Sequence, residues 1–115
     1  MPASQPADAA ASERLLQDTA ATFAMLSAPV RLHIMWLLAA GDRDVGTLAE
    51  ETRQTMATVS HHLGKLKLAG FVRARRQGRR QVYVVNNRGA VDVVRLAIGD
   101  RLRQRAAAPR SRETG

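Results

Sequence analysis

Thr55-Met56-Ala57-Thr58-Val59-Ser60-His61-His62-Leu63-Gly64-Lys65-Leu66 is the stretch whose reading decides the fold, together with Ala69-Gly70-Phe71-Val72 and Arg75-Arg76-Gln77-Gly78-Arg79-Arg80 downstream. Val59, Leu63 and Leu66 follow an i, i+4, i+7 pattern, the apolar stripe of an amphipathic helix. Thr55 is placed to cap that helix and Gly70 to end it. With Val59 at the centre of the inner face, Ala57, Thr58, His61 and Lys65 fall on the outer side, with Ser60 and His62 on the flanks. Phe71, Val72 and Ala74, then Val82 to Val85, are β-prone runs on either side of Gly78. They predict a hairpin, with the glycine supplying the positive φ of its turn.

Working outward, Asp44 is placed to cap a short helix over 45–52 that buries Val45, Leu48 and Ala49. Two helices joined by a short link, the second carrying polar groups outward, predict a helix-turn-helix unit. A hairpin directly after such a unit is a wing, and four Arg in the six residues of its tip suit backbone phosphates or a minor groove. The expected fold is therefore mainly α with a β-hairpin wing, a winged helix-turn-helix. Pro29 suits the first position of an earlier helix that ends at Gly41, with Ser27 one residue early for a cap. Leu15, Leu16, Thr19, Ala20, Phe23 and Leu26 predict a helix over 13–26. Val91, Val94, Ile98 and Leu102 predict another over 88–105. Residues 1–12 and 106–115 read as disordered tails around a single domain spanning 13–105.

Charge follows the same division. The chain has 115 residues and a net charge of +8. From Arg53 to Arg88 there are nine Lys or Arg and no Asp or Glu; the remaining nine basic residues face ten acidic ones. All the excess positive charge thus lies in the middle third, over the helix-turn-helix and wing. A single-sign field of this kind is the footprint of a polyanion, and the order of elements beneath it points to double-stranded DNA.

Composition excludes several function classes. There is no Cys, hence no disulfide, thiolate metal site or thiol redox switch. No hydrolase triad spacing, Gly-rich phosphate loop or metal quartet is present, so no enzyme, cofactor or metal is expected. His33 has no ligand-type companion at matching spacing and reads as structural. No segment reads as a membrane span or leader, which makes the cytoplasm the expected location. A domain this small, with Phe23, Trp36, Phe71 and Tyr83 as its aromatics, gains by completing its burial against a copy of itself.

In this order of elements the sequence resembles the ArsR/SmtB family of small bacterial repressors. The segments carrying the resemblance are Met25 to Leu32, Leu48-Ala49-Glu50, Thr58 to Leu66, and Ala69-Gly70-Phe71-Val72 leading to the Gly-Arg turn and Tyr83. The resemblance implies a symmetric homodimer, joined through first and last helices, that blocks transcription from an imperfectly palindromic operator. It also implies release by a metal or other inducer, but the sensor positions are depleted. The thiolate stretch holds Asp44-Val45-Gly46-Thr47-Leu48, and the last-helix site holds Asn87, Gly89, Asp100 and Arg103. An Arg in the cluster and one plausible ligand of four do not make a cation site. The sequence names no inducer.

The expected DNA-binding residues are Thr58, Ser60, His61 and His62 for bases and backbone, Lys65 for phosphate, and Arg75, Arg76, Arg79 and Arg80 in the wing. The expected dimer seam is Leu16, Phe23, Val91, Val94, Ile98 and Leu102. An architectural DNA binder with little sequence preference is the alternative reading; a repressor should prefer its operator by several kcal/mol.

Overall fold

Capping, turn chemistry and the apolar stripes divide the chain as a computed structural model shows it, with residues 6–108 described and their side chains from residue 12 onward. The elements are α1 (Pro6–Leu26), α2 (Pro29–Ala40), β1 (Arg43–Asp44), α3 (Val45–Thr52), α4 (Met56–Leu68), β2 (Val72–Gln77), β3 (Arg80–Val85) and α5 (Arg88–Ala107). The expected winged helix-turn-helix is present. α1 begins seven residues before Glu13, so part of the stretch expected as a tail is helical; residues 1–5 and 109–115 lie outside the described residues.

Each boundary has a local cause. Pro29 opens α2, where its missing N–H costs nothing, but Ala28 gives no side-chain cap. Ser27 does not serve α2 either: its hydroxyl donates back to the Ala24 carbonyl at the end of α1. The Asp44 carboxylate accepts the Thr47 amide at 2.8 Å and starts α3. α3 stops at Arg53, whose φ of 58° makes it the one non-glycine residue in the left-handed region among the described residues. Thr55 accepts the Thr58 amide and starts α4. That helix closes in a Schellman arrangement: Phe71 N–H reaches the Leu66 carbonyl and Gly70 N–H that of Lys67, with Gly70 at φ 80°.

One core unites these pieces. Ile34, Met35 and Leu38 of α2 pack with Leu48 of α3, the Val59-Leu63-Leu66 stripe of α4, Phe71 and Val72, and Val91 and Val94 of α5. The hairpin pairs Val72 with Val85 down to Gln77 with Arg80, leaving Gly78-Arg79 as a two-residue turn. Gly78 takes φ 64° and Arg79 does not take a positive value, the signature of a type II′ turn. β1 adds an edge through Arg43–Tyr83 and Asp44–Val82 pairs, giving the order β1-β3-β2. Two residues are too short to show strand periodicity, so β1 becomes visible only through its partner.

The expected dimer seam requires a correction. Val91 and Val94 are 1% and 0% exposed within the chain itself, packed in its own core, and have no surface to offer a partner. The apolar stripe is there on α5, but its upper half faces α2. Ile98 is half-buried beside the same core. Leu16, Phe23 and Leu102, at 70%, 54% and 54% exposure, remain open to solvent. Leu15 and Leu96 are exposed as well. Among the described residues no single helix is long and apolar enough to cross a membrane.

Candidate nucleic-acid interface

The inward stripe of α4 turns its polar residues outward, as the spacing requires. Ser60, His61 and Lys65 are exposed, as is Ala57, Thr58 is half-buried, and so is His62. Thr58 is held at the cap: Thr55 Oγ1 accepts its amide at 3.1 Å and donates to its hydroxyl oxygen at 2.9 Å.

His62 does not face freely outward. Arg31 of α2 reaches across to it, Nη1 donating to Nδ1 at 3.2 Å, while Arg31 Nε donates to the Met25 carbonyl at the end of α1. An arginine is always a donor, so Nδ1 accepts and the neutral ring carries its proton on Nε2. The ring of His61 lies edge-on to that of His62, centroids 5.4 Å apart. Sequence reasoning missed Arg31. It stands in the segment from Met25 to Leu32, but helical spacing says nothing of a side chain that spans two helices.

Burial, then the charges of Arg31, His61 and Lys65, hold the His62 imidazole below the ordinary histidine range. Protonation therefore favours the unfolded chain: this contribution to stability is complete above about pH 6.5 and is lost as pH falls below that value. In an NMR titration His62 is expected to show a midpoint below the ordinary value. Arg31→Ala should move that midpoint upward. An unchanged His62 midpoint in that variant would show that the contact has no electrostatic weight.

The wing cations divide by strand alternation. Arg75 and Arg80 share a face with Val82 and are paired, Arg75 with Asp42 at 2.9 Å and Arg80 with Asp44 at 3.4 Å. The Asp44 carboxyl is held below the usual carboxylate range by the Thr47 amide and hydroxyl first, and by Arg80 after them. Arg76, on the other face, and Arg79, in the turn, have no carboxylate within 4 Å among the described residues. The same holds for Arg53, Lys65, Lys67, Arg73 and Arg88. Seven of the nine cations of the acid-free stretch are thus uncompensated among the described residues. His33, read as structural, is exposed on α2. Among the described residues no group of three or more His, Asp or Glu converges as a metal site would require.

Comparison with known proteins agrees with this geometry. The sequence profile described as "Bacterial regulatory protein, arsR family" matches residues 28–74. The chain is 38% identical over 65 residues to the HTH-type transcriptional regulator KmtR of Mycobacterium tuberculosis, covering 56% of this chain and 50% of KmtR, so it spans about half of that relative. It is 36% identical over 64 residues to the transcriptional repressor SdpR of Bacillus subtilis, covering 56% of this chain and 71% of SdpR. Among solved structures, a homodimeric winged helix-turn-helix DNA-binding domain from Mycobacterium bovis, described as a possible ArsR-family regulator, superposes with a TM-score of 0.65. It is 33% identical and the match covers 87% of this chain and 91% of that one. With the capped outward-facing helix, the type II′ wing and the uncompensated cations on α4 and the hairpin, these similarities establish that the chain belongs to the ArsR family of winged helix-turn-helix DNA-binding transcriptional regulators.

Proposed function

We propose that the chain acts in the cytoplasm as a homodimeric repressor. It sets α4 of each subunit in a major groove of an imperfectly palindromic operator and rests each wing on the flanking backbone. The observation that carries the reading is the set of seven uncompensated cations on the α3–α4 turn, α4, the hairpin and the start of α5. A run of cations left without carboxylate partners has a polyanion as its complement. The name of SdpR supports repression, and the description of the Mycobacterium bovis domain supports the dimer.

The chain's own burial supports the dimer independently. Residues 12–21 of α1 are all exposed, Leu15 and Leu16 included. A helix with so little packing is marginal in water and needs a partner surface. Leu15, Thr19 and Phe23 line a groove between α1 and the start of α5, whose other wall includes Ala90 and Val93. The seam we assign is therefore Leu15, Leu16, Phe23, Leu96 and Leu102, with Ile98 at its edge.

Alanine variants separate a repressor from an architectural binder. Arg79→Ala and Arg76→Ala are expected to weaken operator and random DNA alike, each reducing the salt slope by about 0.9 for every phosphate that the variant no longer neutralises. Arg75→Ala and Arg80→Ala should do less, because Asp42 and Asp44 already hold those groups. His61→Ala should cost the operator about 1–3 kcal/mol more than it costs random DNA. Equal losses on both DNAs for His61→Ala would favour the architectural reading.

A further inference from the structure

The flank of α4 that holds His62 is tied to α2 through Arg31, so the open flank is the opposite one. There Met56, Ser60 and Gly64 form an i, i+4, i+8 row, every member exposed. Met56 is the first residue of the helix and is 58% exposed, a large apolar side chain beside cations and hydroxyls. Gly64 is equally unexplained by the fold. A Cβ placed on it would meet nothing within 4 Å, and glycine inside a helix weakens it relative to alanine. The chain thus carries a destabilising residue where its own packing demands none, which leaves this row low enough for another surface to approach the helix closely.

In a major groove the base edges present hydrogen-bonding groups and one apolar feature, the C5 methyl of thymine. We infer that the Met56-Ser60-Gly64 row extends the base-facing surface of α4 beside His61 and that Met56 reads a thymine methyl in each half-site. The inference rests on α4 being the major-groove helix and adds the base it selects. Gly64 admits the close approach, and Ser60 lies between them to accept from or donate to a neighbouring base edge. Met56 stands in the first turn of α4, the part of a recognition helix whose residues contact base edges. An unbranched thioether adapts its shape to a methyl group at small cost.

The test begins with duplexes enriched by the full chain from a random pool at fixed salt. Each thymine of the preferred site is then replaced singly by uracil, which removes only the methyl. Wild-type affinity is expected to fall about fourfold for the methyl contacted by Met56. Met56→Ala should bind thymine and uracil equally at that position, and Met56→Leu should restore part of the preference. Gly64→Ala should raise the melting temperature and weaken operator binding together, opposite effects that a purely structural glycine would not produce. A Met56→Ala protein that still discriminates thymine from uracil as the wild type does would overturn the inference while leaving operator binding intact. So would a Gly64→Ala protein of unchanged affinity. Failure of the wild type to enrich any sequence would overturn the reading of α4 itself, and the inference with it.

Discussion

Affinity for operator DNA is expected to fall about 10³–10⁵-fold between 50 and 200 mM salt, the range for a protein that neutralises roughly 6–10 phosphates. The structure supplies the cations for that figure. The chain carries seven that no carboxylate compensates among the described residues, on the α3–α4 turn, α4, the wing and the start of α5. Engaging about three to five of them per subunit in a dimer reaches the required number. Fluorescence anisotropy with one labelled duplex across a salt series measures the slope. A binding constant nearly flat over the range would contradict the electrostatic reading, because phosphate neutralisation on this scale must release counterions.

Loss of the folded state is expected for Val94→Asp. Val94 is 0% exposed, packed from α5 into the core, and an aspartate there would have no water and no cation partner. An uncompensated buried charge costs about 3–5 kcal/mol, a large part of the roughly 5–15 kcal/mol that holds a domain together. Circular dichroism on heating should show an unfolded or strongly destabilised chain. Phe23→Asp and Leu16→Asp are expected to behave differently. Those side chains are open in the single chain, so the charge is solvated and the winged core should persist. Sedimentation should then show a folded monomer with weakened operator binding. A Phe23→Asp protein that stays fully dimeric would place the seam elsewhere, and a cooperatively folded Val94→Asp protein of wild-type stability would contradict the packing of α5 against the core.

Most of the element order was legible along the chain because its causes are local. Asp44 and Thr55 cap the two helices of the DNA-reading unit through their own side chains, three residues from the amides they accept. Gly70 and Gly78 mark the end of α4 and the wing turn through a backbone freedom that belongs to glycine itself. The stripe of Val59, Leu63 and Leu66 follows from helical geometry alone, and the acid-free run from Arg53 to Arg88 is a property of composition. Family resemblance rests on these same segments.

What tertiary structure decided is which partner each side chain meets. Periodicity assigns Val91, Val94, Ile98 and Leu102 to one stripe, but cannot say that α2 covers its upper half and leaves its lower end bare. Arg75 and Arg80 look the same as Arg76 and Arg79 in sequence. Their difference arises because β1 pairs with β3 and brings Asp42 and Asp44 beside one face of the wing. His62 is distinguished from His61 by Arg31, thirty-one residues away, and β1 exists only as the partner of β3. A cap or a turn is determined by a few neighbouring residues; burial and ion pairing depend on groups that only the folded chain brings together. For that reason the sequence by itself determined what kind of protein this is, and the packing decided which of its cations, histidines and apolar side chains remain free for DNA or for a second subunit.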